Sequence, residues 1–454
     1  MKKIFFLVLL SFTFLPMFAQ ESDDDLFFFE DDGIEEFVIT EDSKTEELNR
    51  GILFETGSIK IGGKFDTSLS TLTTLWADDD ENFGTHLKNT SLTPKLSAFL
   101  NVDARPTQTL RMYTKFGFAY PFESKAYSSA TTNKIGENYY YTQVQTSISD
   151  YFKVKELFTD FSINDRAFFR FGLHTVTWGT GYFYSPVSDM INTSSINPED
   201  VDAQVDGSVN LRTQIVFPGS QNCLWFYVIP STDFKSSYSA ESYLRETALA
   251  GKADFVLGGW EFGLGGFYKY QNSPKAMFTA TGSLKSFSLF GETVYQYGAA
   301  SEWKNNSDWK DKTNIFQITA GLSRYWKNPS ITLAAQYYYD GNNVDLEHQY
   351  LTQGHNIAFL ANFGRIFGTT DISANIFGMI NIGKKELNSI AKEMMKSSGV
   401  NSSFLSSAIF SAMMNFSPIN EFSFGIGSYI TMETLSSKPS ISLKLNASLG
   451  GGKF

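Results

Sequence analysis

The stretch RFGLHTVTWGTGYFYSPVSDMIN, residues 170 to 192, brings His174, Ser185, Ser188 and Asp189 into one short segment. These are the residue types of nucleophilic acyl transfer, in which a hydroxyl attacks, an imidazole takes its proton and a carboxylate orients the imidazole. That chemistry needs the three groups in hydrogen-bond contact, and the motif that usually flanks such a nucleophile is absent. Of the four histidines, His86, His174, His348 and His355, only the last two approach ligand-like spacing, and they sit in a loop. Neither a metal nor a cofactor is therefore expected. Cys223 is the only cysteine, so no intrachain disulfide can form, and it reads as a packed wall residue.

What the histidine and serines can do depends on the elements that hold them. Phe (43) and Tyr (22) bring aromatics to 16%, yet mean hydropathy is −0.18. That combination suits short strands with one apolar and one wet face. Residues 1–20 read as a secretory signal: Lys2 and Lys3 precede IFFLVLLSFTFLPMFAQ, with cleavage near residues 19–20 and no lipid-attachment cysteine behind it. Beyond it no apolar run approaches the length of a membrane helix; CLWFYVI and AIFSAMMNF are the longest.

Strict alternation is what the chain offers instead. In AFFRFGLHTVTWG, Ala167, Phe169, Phe171 and Leu173 fall on one face and Arg170, His174 and Trp178 on the other. The pattern recurs in SLTPKLSAFLNVDA, SITLAAQYYYDG, HNIAFLANFG and TTDISANIFGMINIG. Counted from residue 57, it predicts about eighteen strands, hence an all-β, antiparallel transmembrane β-barrel over residues 51–454. Connections alternate in length as such a barrel requires, except at two short outer loops, QNSPK near 271 and TLSSKPS near 434. Short turns such as NDR, PGSQN, GG and KNP would face the periplasm, with both termini on that side. Long loops such as 121–150, 180–208 and 340–355 would face outward. Residues 384–399 have helical spacing inside one outer loop.

Parity then assigns the wet face. Its site candidates are Arg111, Lys115, Arg170, His174, Trp178, Arg212, Glu261, Glu292 and Arg324, joined by Asp189 from the loop after His174. Basic and acidic side chains are nearly balanced along this face, which predicts weak overall ion selectivity. Trp178, Tyr182, Phe183 and Tyr184 read as membrane-rim aromatics.

RFGLHTVTWGTGYFYSPVSDMINTSSINPED resembles a segment of porin-like outer-membrane barrels, in which R-x-G precedes W-G-x-G, a Pro, an Asp and a second Pro-acidic step. The matching residues are Arg170, Gly172, Trp178, Gly179, Gly181, Pro186, Asp189, Pro198 and Asp200. The closing SISLKLNASLGGGKF is similar to the C-terminal strand of such barrels, which implies that Phe454 is read by the barrel-assembly machinery. These resemblances imply a channel embedded in outer-membrane lipids. In the general porins that the layout resembles, the third outer loop folds inward, so 180–208 is expected as a constriction.

Residues 21–50 form an acidic periplasmic tail, thirteen acidic residues against Lys44 before Arg50. The tail reads as a disordered, solubilising extension, with LFFF and FVI as the anchors if it docks a periplasmic partner. Its sign opposes nucleic-acid binding. The functional expectation is passive diffusion of small hydrophilic solutes. A surface adhesin or structural barrel also fits the large loops, whereas a transporter of hydrophobic solutes would need an apolar lumen. Catalysis is the weakest reading.

Overall fold

The computed structural model describes residues 54–76, 90–120, 125–132, 138–145, 152–176, 178–191, 207–230, 239–299, 302–303, 308–341, 354–383, 406–419, 422–432 and 439–453. The signal, the acidic tail, residues 384–399, Pro198, Asp200 and Phe454 lie outside them.

Eighteen strands make the wall: β1 (Ile59–Trp76), β2 (Ser91–Thr107), β3 (Leu110–Tyr120), β4 (Phe152–Ile163), β5 (Ala167–His174), β6 (Ser208–Val216), β7 (Cys223–Ile229), β8 (Ala248–Leu257), β9 (Trp260–Lys269), β10 (Lys275–Leu284), β11 (Phe287–Tyr297), β12 (Asn314–Trp326), β13 (Ile331–Asp340), β14 (Gly354–Phe363), β15 (Ile372–Gly383), β16 (Ser406–Ile419), β17 (Phe422–Met432) and β18 (Ser440–Lys453). Each pairs antiparallel with its chain neighbours. β18 returns to β1, with Leu69 opposite Ala447 and Thr73 opposite Leu443, so the sheet closes. Among the described residues no helix is long and apolar enough to cross a membrane.

Local chemistry sets the corners. Asn164 and Asp165 both take positive φ between β4 and β5, as do Gly258 and Gly259 between β8 and β9. Two consecutive left-handed residues give the turn whose twist matches a tight hairpin. Four elements were not anticipated. Phe54–Thr56 folds back on the start of β1, and Lys125–Thr132 pairs with Asn138–Gln145 as a separate hairpin between β3 and β4. Helix α1 (Ala240–Glu246) stands between β7 and β8, its N-terminus capped by Ser239, whose hydroxyl accepts from the Ser242 amide.

The lipid-facing rows match the parity. Leu92, Leu96, Leu100, Phe171, Leu249, Leu333, Tyr337 and Ile357 are exposed on the outer face, and cross-strand register groups them: Leu249 lies opposite Val228 and Tyr268. Arg324 requires a correction. It stands opposite Leu333 and shares its face with Ile318 and Leu322, so it points away from the lumen near the β12–β13 turn. Two-residue periodicity fixes this: an even position on β12 cannot face inward while Leu322 faces out.

The two faces make opposite predictions for an added charge. Phe171→Arg should cost ~2–4 kcal/mol, the range for a cation near the bilayer midplane. Gln214→Arg, on the inner face opposite Phe168, should unfold close to wild type. Urea unfolding of the refolded barrel in vesicles reads the difference. Equal stability of the two variants would refute the assignment of faces.

Candidate functional site

The site is built around β5 and the chain that leaves it. Gly172 sits on β5 at φ +139°, and a Cβ there would lie 2.2 Å from the Leu157 carbonyl oxygen. Only glycine lets β5 press this closely on β4 just before the loop begins. After His174 the chain turns into the barrel. Val176, Trp178, Val187 and Met190 pack against Trp225 and Tyr227 of β7, Ala250 of β8, Met277 of β10 and Val294 of β11. The Trp178 ring meets the Tyr227 ring edge-on at 4.9 Å. Farther along, Phe183 joins Ala334, Ala358 and Phe377 from β13, β14 and β15. Trp178 and Phe183 are thus interior residues, which corrects their reading as membrane-rim aromatics.

Span and reach together define the path. Between Trp178 and Phe183 the backbone can extend at most ~18 Å. The wall from β7 to β15 runs through eight strand spacings of ~4.8 Å, or ~38 Å. The segment therefore leaves the wall's circumference and takes a chord on the lumen side.

Two inward side chains hold that chord. Glu292 of β11, 1% exposed, accepts from the Val187 amide at 3.1 Å, the Gly181 amide at 2.5 Å, the Thr180 amide and the Ser185 hydroxyl at 3.1 Å. Gln336 of β13 behaves like a strand partner. Its Oε1 accepts from the Phe183 amide at 2.6 Å, and its Nε2 donates to the Tyr184 carbonyl and to the Thr319 hydroxyl. Ser188 Oγ accepts from the Trp178 and Gly179 amides at 3.2 and 2.9 Å and lies 2.9 Å from Ser185 Oγ. Lys252 of β8 donates to the Trp178 carbonyl at 3.3 Å. Burial holds the Tyr184 phenol above its ordinary pKa.

This explains the glycines of W-G-x-G. A Cβ on Gly179 would sit 1.6 Å from Ser185 Oγ and 2.5 Å from Glu292 Oε1; one on Gly181 would sit 1.9 Å from the Tyr184 carbonyl oxygen. A carboxylate and a folded-back turn press directly on the backbone, so neither position has room for a side chain. The serines are spent on the same task. His174 is elsewhere: 2% exposed, its Nδ1 is 3.3 Å from the Gly172 carbonyl oxygen and its ring meets Phe158 edge-on. Among the described residues no hydrogen bond joins it to Ser185 or Ser188. No group of three His, Cys, Asp or Glu with metal-site geometry occurs among those residues either.

His174, Trp178 and Glu292 were expected to line water. At 2%, 5% and 1% exposure they lie under or within the loop, and their pore-lining assignment is corrected to structural support. The cause is tertiary. Parity places a residue on the inner face but does not say which part of that face the loop covers.

The wall that this segment leaves uncovered is charged. Arg111 of β3, Asp160 of β4, Arg170 of β5 and Arg212 of β6 form one cross-strand row. Arg170 holds Asp160 in a two-point pair at 2.6 and 3.0 Å, with its guanidinium carbon 3.9 Å from the Phe158 ring centroid. Arg111 bonds Asp103 at 3.1 Å. Arg212 stands directly opposite Arg170, its guanidinium carbon 5.6 Å from the Trp225 ring. Lys115, two inward positions along β3 from Arg111, lies over Phe99 and pairs in register with Glu156. Glu261 is exposed on the inner face near the periplasmic end of β9. Asp189, in the single turn Ser188–Met190, interacts electrostatically with Lys275 of β10.

A closed eighteen-strand barrel with an apolar belt outside, ionic side chains inside and one loop folded into the lumen defines the class: a transmembrane β-barrel of porin-like architecture. The sequence matches no known family profile and no curated protein. Among solved structures it is similar to OccAB4 of Acinetobacter baumannii, with 10% identity and a TM-score of 0.49 over 87% of this chain and 98% of that one. OccK9 (OpdG) of Pseudomonas aeruginosa shows 8% and 0.47 over 87% and 98%. OpdK of the same organism, solved with vanillate, shows 7% and 0.48 over 87% and 99%.

Removing the Glu292 anchor should free the loop without opening the barrel. In Glu292→Ala, three amides and a hydroxyl lose a buried acceptor, each at ~1–3 kcal/mol if left unsatisfied. Limited proteolysis should then cut between residues 178 and 191, where wild type resists, while the barrel stays folded on heat-modifiability gels. Continued resistance would mean that Glu292 is not the anchor.

Proposed function

We propose that this chain is an outer-membrane channel for passive diffusion of small hydrophilic solutes, narrowed by the segment that follows β5. The carrying observation is the chord from Trp178 to Phe183, fixed inside the barrel by Glu292 and Gln336. A segment held by buried hydrogen bonds sets the size of the path permanently, as a sieve needs. A surface adhesin would have no use for it. The ionic row Arg111–Asp160–Arg170–Arg212 also speaks against a lumen for hydrophobic solutes, since desolvating such charges is costly.

The row has a local sign even though the wall as a whole is near balance. Arg170 and Arg111 are neutralised by Asp160 and Asp103, whereas Arg212 adds a cation beside Arg170. Small anionic or zwitterionic solutes are therefore favoured over cations at this level of the channel. Secretion with cleavage near residues 19–20, reading of Phe454 by the assembly machinery and docking of the tail 21–50 to a periplasmic partner belong to the same proposal.

Single-channel recording in planar bilayers tests it. Replacing residues 178–191 by a short Gly-Ser linker should raise conductance severalfold and relax size exclusion. Arg212→Ala should leave conductance near wild type and shift the reversal potential under a salt gradient toward cations. A linker variant that conducts like wild type would remove the loop as the sieve.

A further inference from the structure

Arg324 lies on the outer face of β12, three residues before the short β12–β13 turn, and short turns mark the periplasmic side. Its guanidinium carbon is 4.4 Å from the Trp326 ring centroid and 4.9 Å from that of Phe287, so the planar group is held between two rings that share its face. Its Nε is buried and has no hydrogen-bond partner among the described residues. The two rings fix the plane of the guanidinium, and because the buried Nε is out of reach from outside, contact with an external acceptor falls to the two terminal amino groups.

The surroundings select the sign and the depth of that acceptor. Residues 282–288 and 322–331 form two neighbouring periplasmic corners that carry Lys285, Arg324 and Lys327 and no acidic residue. Lys285 and Lys327 are exposed at the turns. Beside Arg324, in register on β13, Leu333 is exposed at 40% on the lipid-facing surface, and toward the membrane centre Leu322 is exposed at 41%. Cations at the rim above an apolar strip is the arrangement that a phospholipid presents in mirror image: an anionic phosphate over acyl chains.

We propose that Arg324, with Lys285 and Lys327 at the adjoining turns, binds the phosphate headgroup of an anionic phospholipid in the periplasmic leaflet. This rests on the reading of the chain as a membrane-spanning barrel. Phe287 and Trp326 position the guanidinium, which donates a two-point bond to the phosphodiester, while the leucines accept the first methylenes. The site fastens the barrel vertically in the bilayer at a sector where an arginine interrupts the apolar belt.

The test uses the full barrel refolded in phosphatidylcholine vesicles with and without phosphatidylglycerol, followed by native mass spectrometry of retained lipid and by thermal unfolding. Wild type should retain phosphatidylglycerol in preference to phosphatidylcholine and unfold at higher temperature in its presence. Arg324→Gln should lose that preference severalfold and lose the thermal shift, while single-channel conductance stays at the wild-type value. The double variant Lys285→Gln/Lys327→Gln changes only exposed turn residues and should weaken the preference even if Arg324→Gln fails to fold. Undiminished retention of phosphatidylglycerol by the double variant, or by a folded Arg324→Gln, would overturn the proposal. Inorganic phosphate added to pure phosphatidylcholine vesicles separates the sources: full protection by phosphate alone would make this a general anion site and overturn the lipid assignment. Failure of wild type to insert at all would instead sink the membrane-spanning reading.

Discussion

Everything here depends on closing the sheet. Inside hydrocarbon there is no water to pair with a free amide or carbonyl, so an open strand edge would leave a row of unsatisfied groups, each costing several kcal/mol. The pairing of β1 with β18 removes both edges at once. It brings together Ile59–Trp76 and Ser440–Lys453, segments from opposite ends of the barrel sequence, so the whole chain must be present before the ring can form. Two register shifts on β1, between Asp66 and Ser68 and between Thr74 and Trp76, accommodate the seam. Closure also dictates alternation, because every side chain must then face either lipid or lumen.

A wide barrel solves the hydrogen-bond problem of the wall and creates another inside. Eighteen strands enclose more space than inward side chains alone can fill. The segment after β5 fills part of it, but irregular backbone at membrane depth is tolerated only where its own polar groups find partners. Glu292 and Gln336 supply them: an acceptor-only carboxylate faces a turn rich in free amides, and a carboxamide meets a stretch that needs both an acceptor and a donor. Trp178, Val187 and Met190 add an apolar contact to the wall, so the loop has a small core of its own inside a polar lumen.

The barrel was legible because its signal is repeated and one-dimensional. Two-residue alternation and the long-short rhythm of connections need no knowledge of contacts, and they found the wall, its count of strands and its faces. Where the reading of β12 departed from alternation, at Arg324, the structure sided with the alternation. The supports of the loop were hidden for a different reason. Glu292 and Gln336 lie more than 100 residues from the amides they bind, and on their strands they look like any other inward polar residue. The glycines of W-G-x-G were visible as a motif, yet their cause, a carboxylate and a serine pressed on the backbone, exists only in the folded state. His174, at an inward position of β5, and Trp178, in the loop itself, were both misread, since burial beneath or within the loop is a property of the loop's path.

The inward segment and the ionic row occupy different parts of the wall. The chord lies against β7 through β15, whereas the row from Arg111 to Arg212 sits on β3 through β6. The two are joined at one place. Trp225 lies beneath the loop with Val176 and Trp178 and also faces the Arg212 guanidinium. Tyr227, opposite Arg212 in register, carries the Trp178 ring. β7 is thus the strand where the loop's apolar contact ends, next to the end of the ionic row on β6. In the proposed channel, Arg212, the cation that gives the row its local sign, therefore stands at the edge of the segment that narrows the lumen. On that proposal the narrowing and the charge act at one level of the lumen through different side chains, because the Trp178 ring and the Arg212 guanidinium meet neighbouring inward positions of one strand.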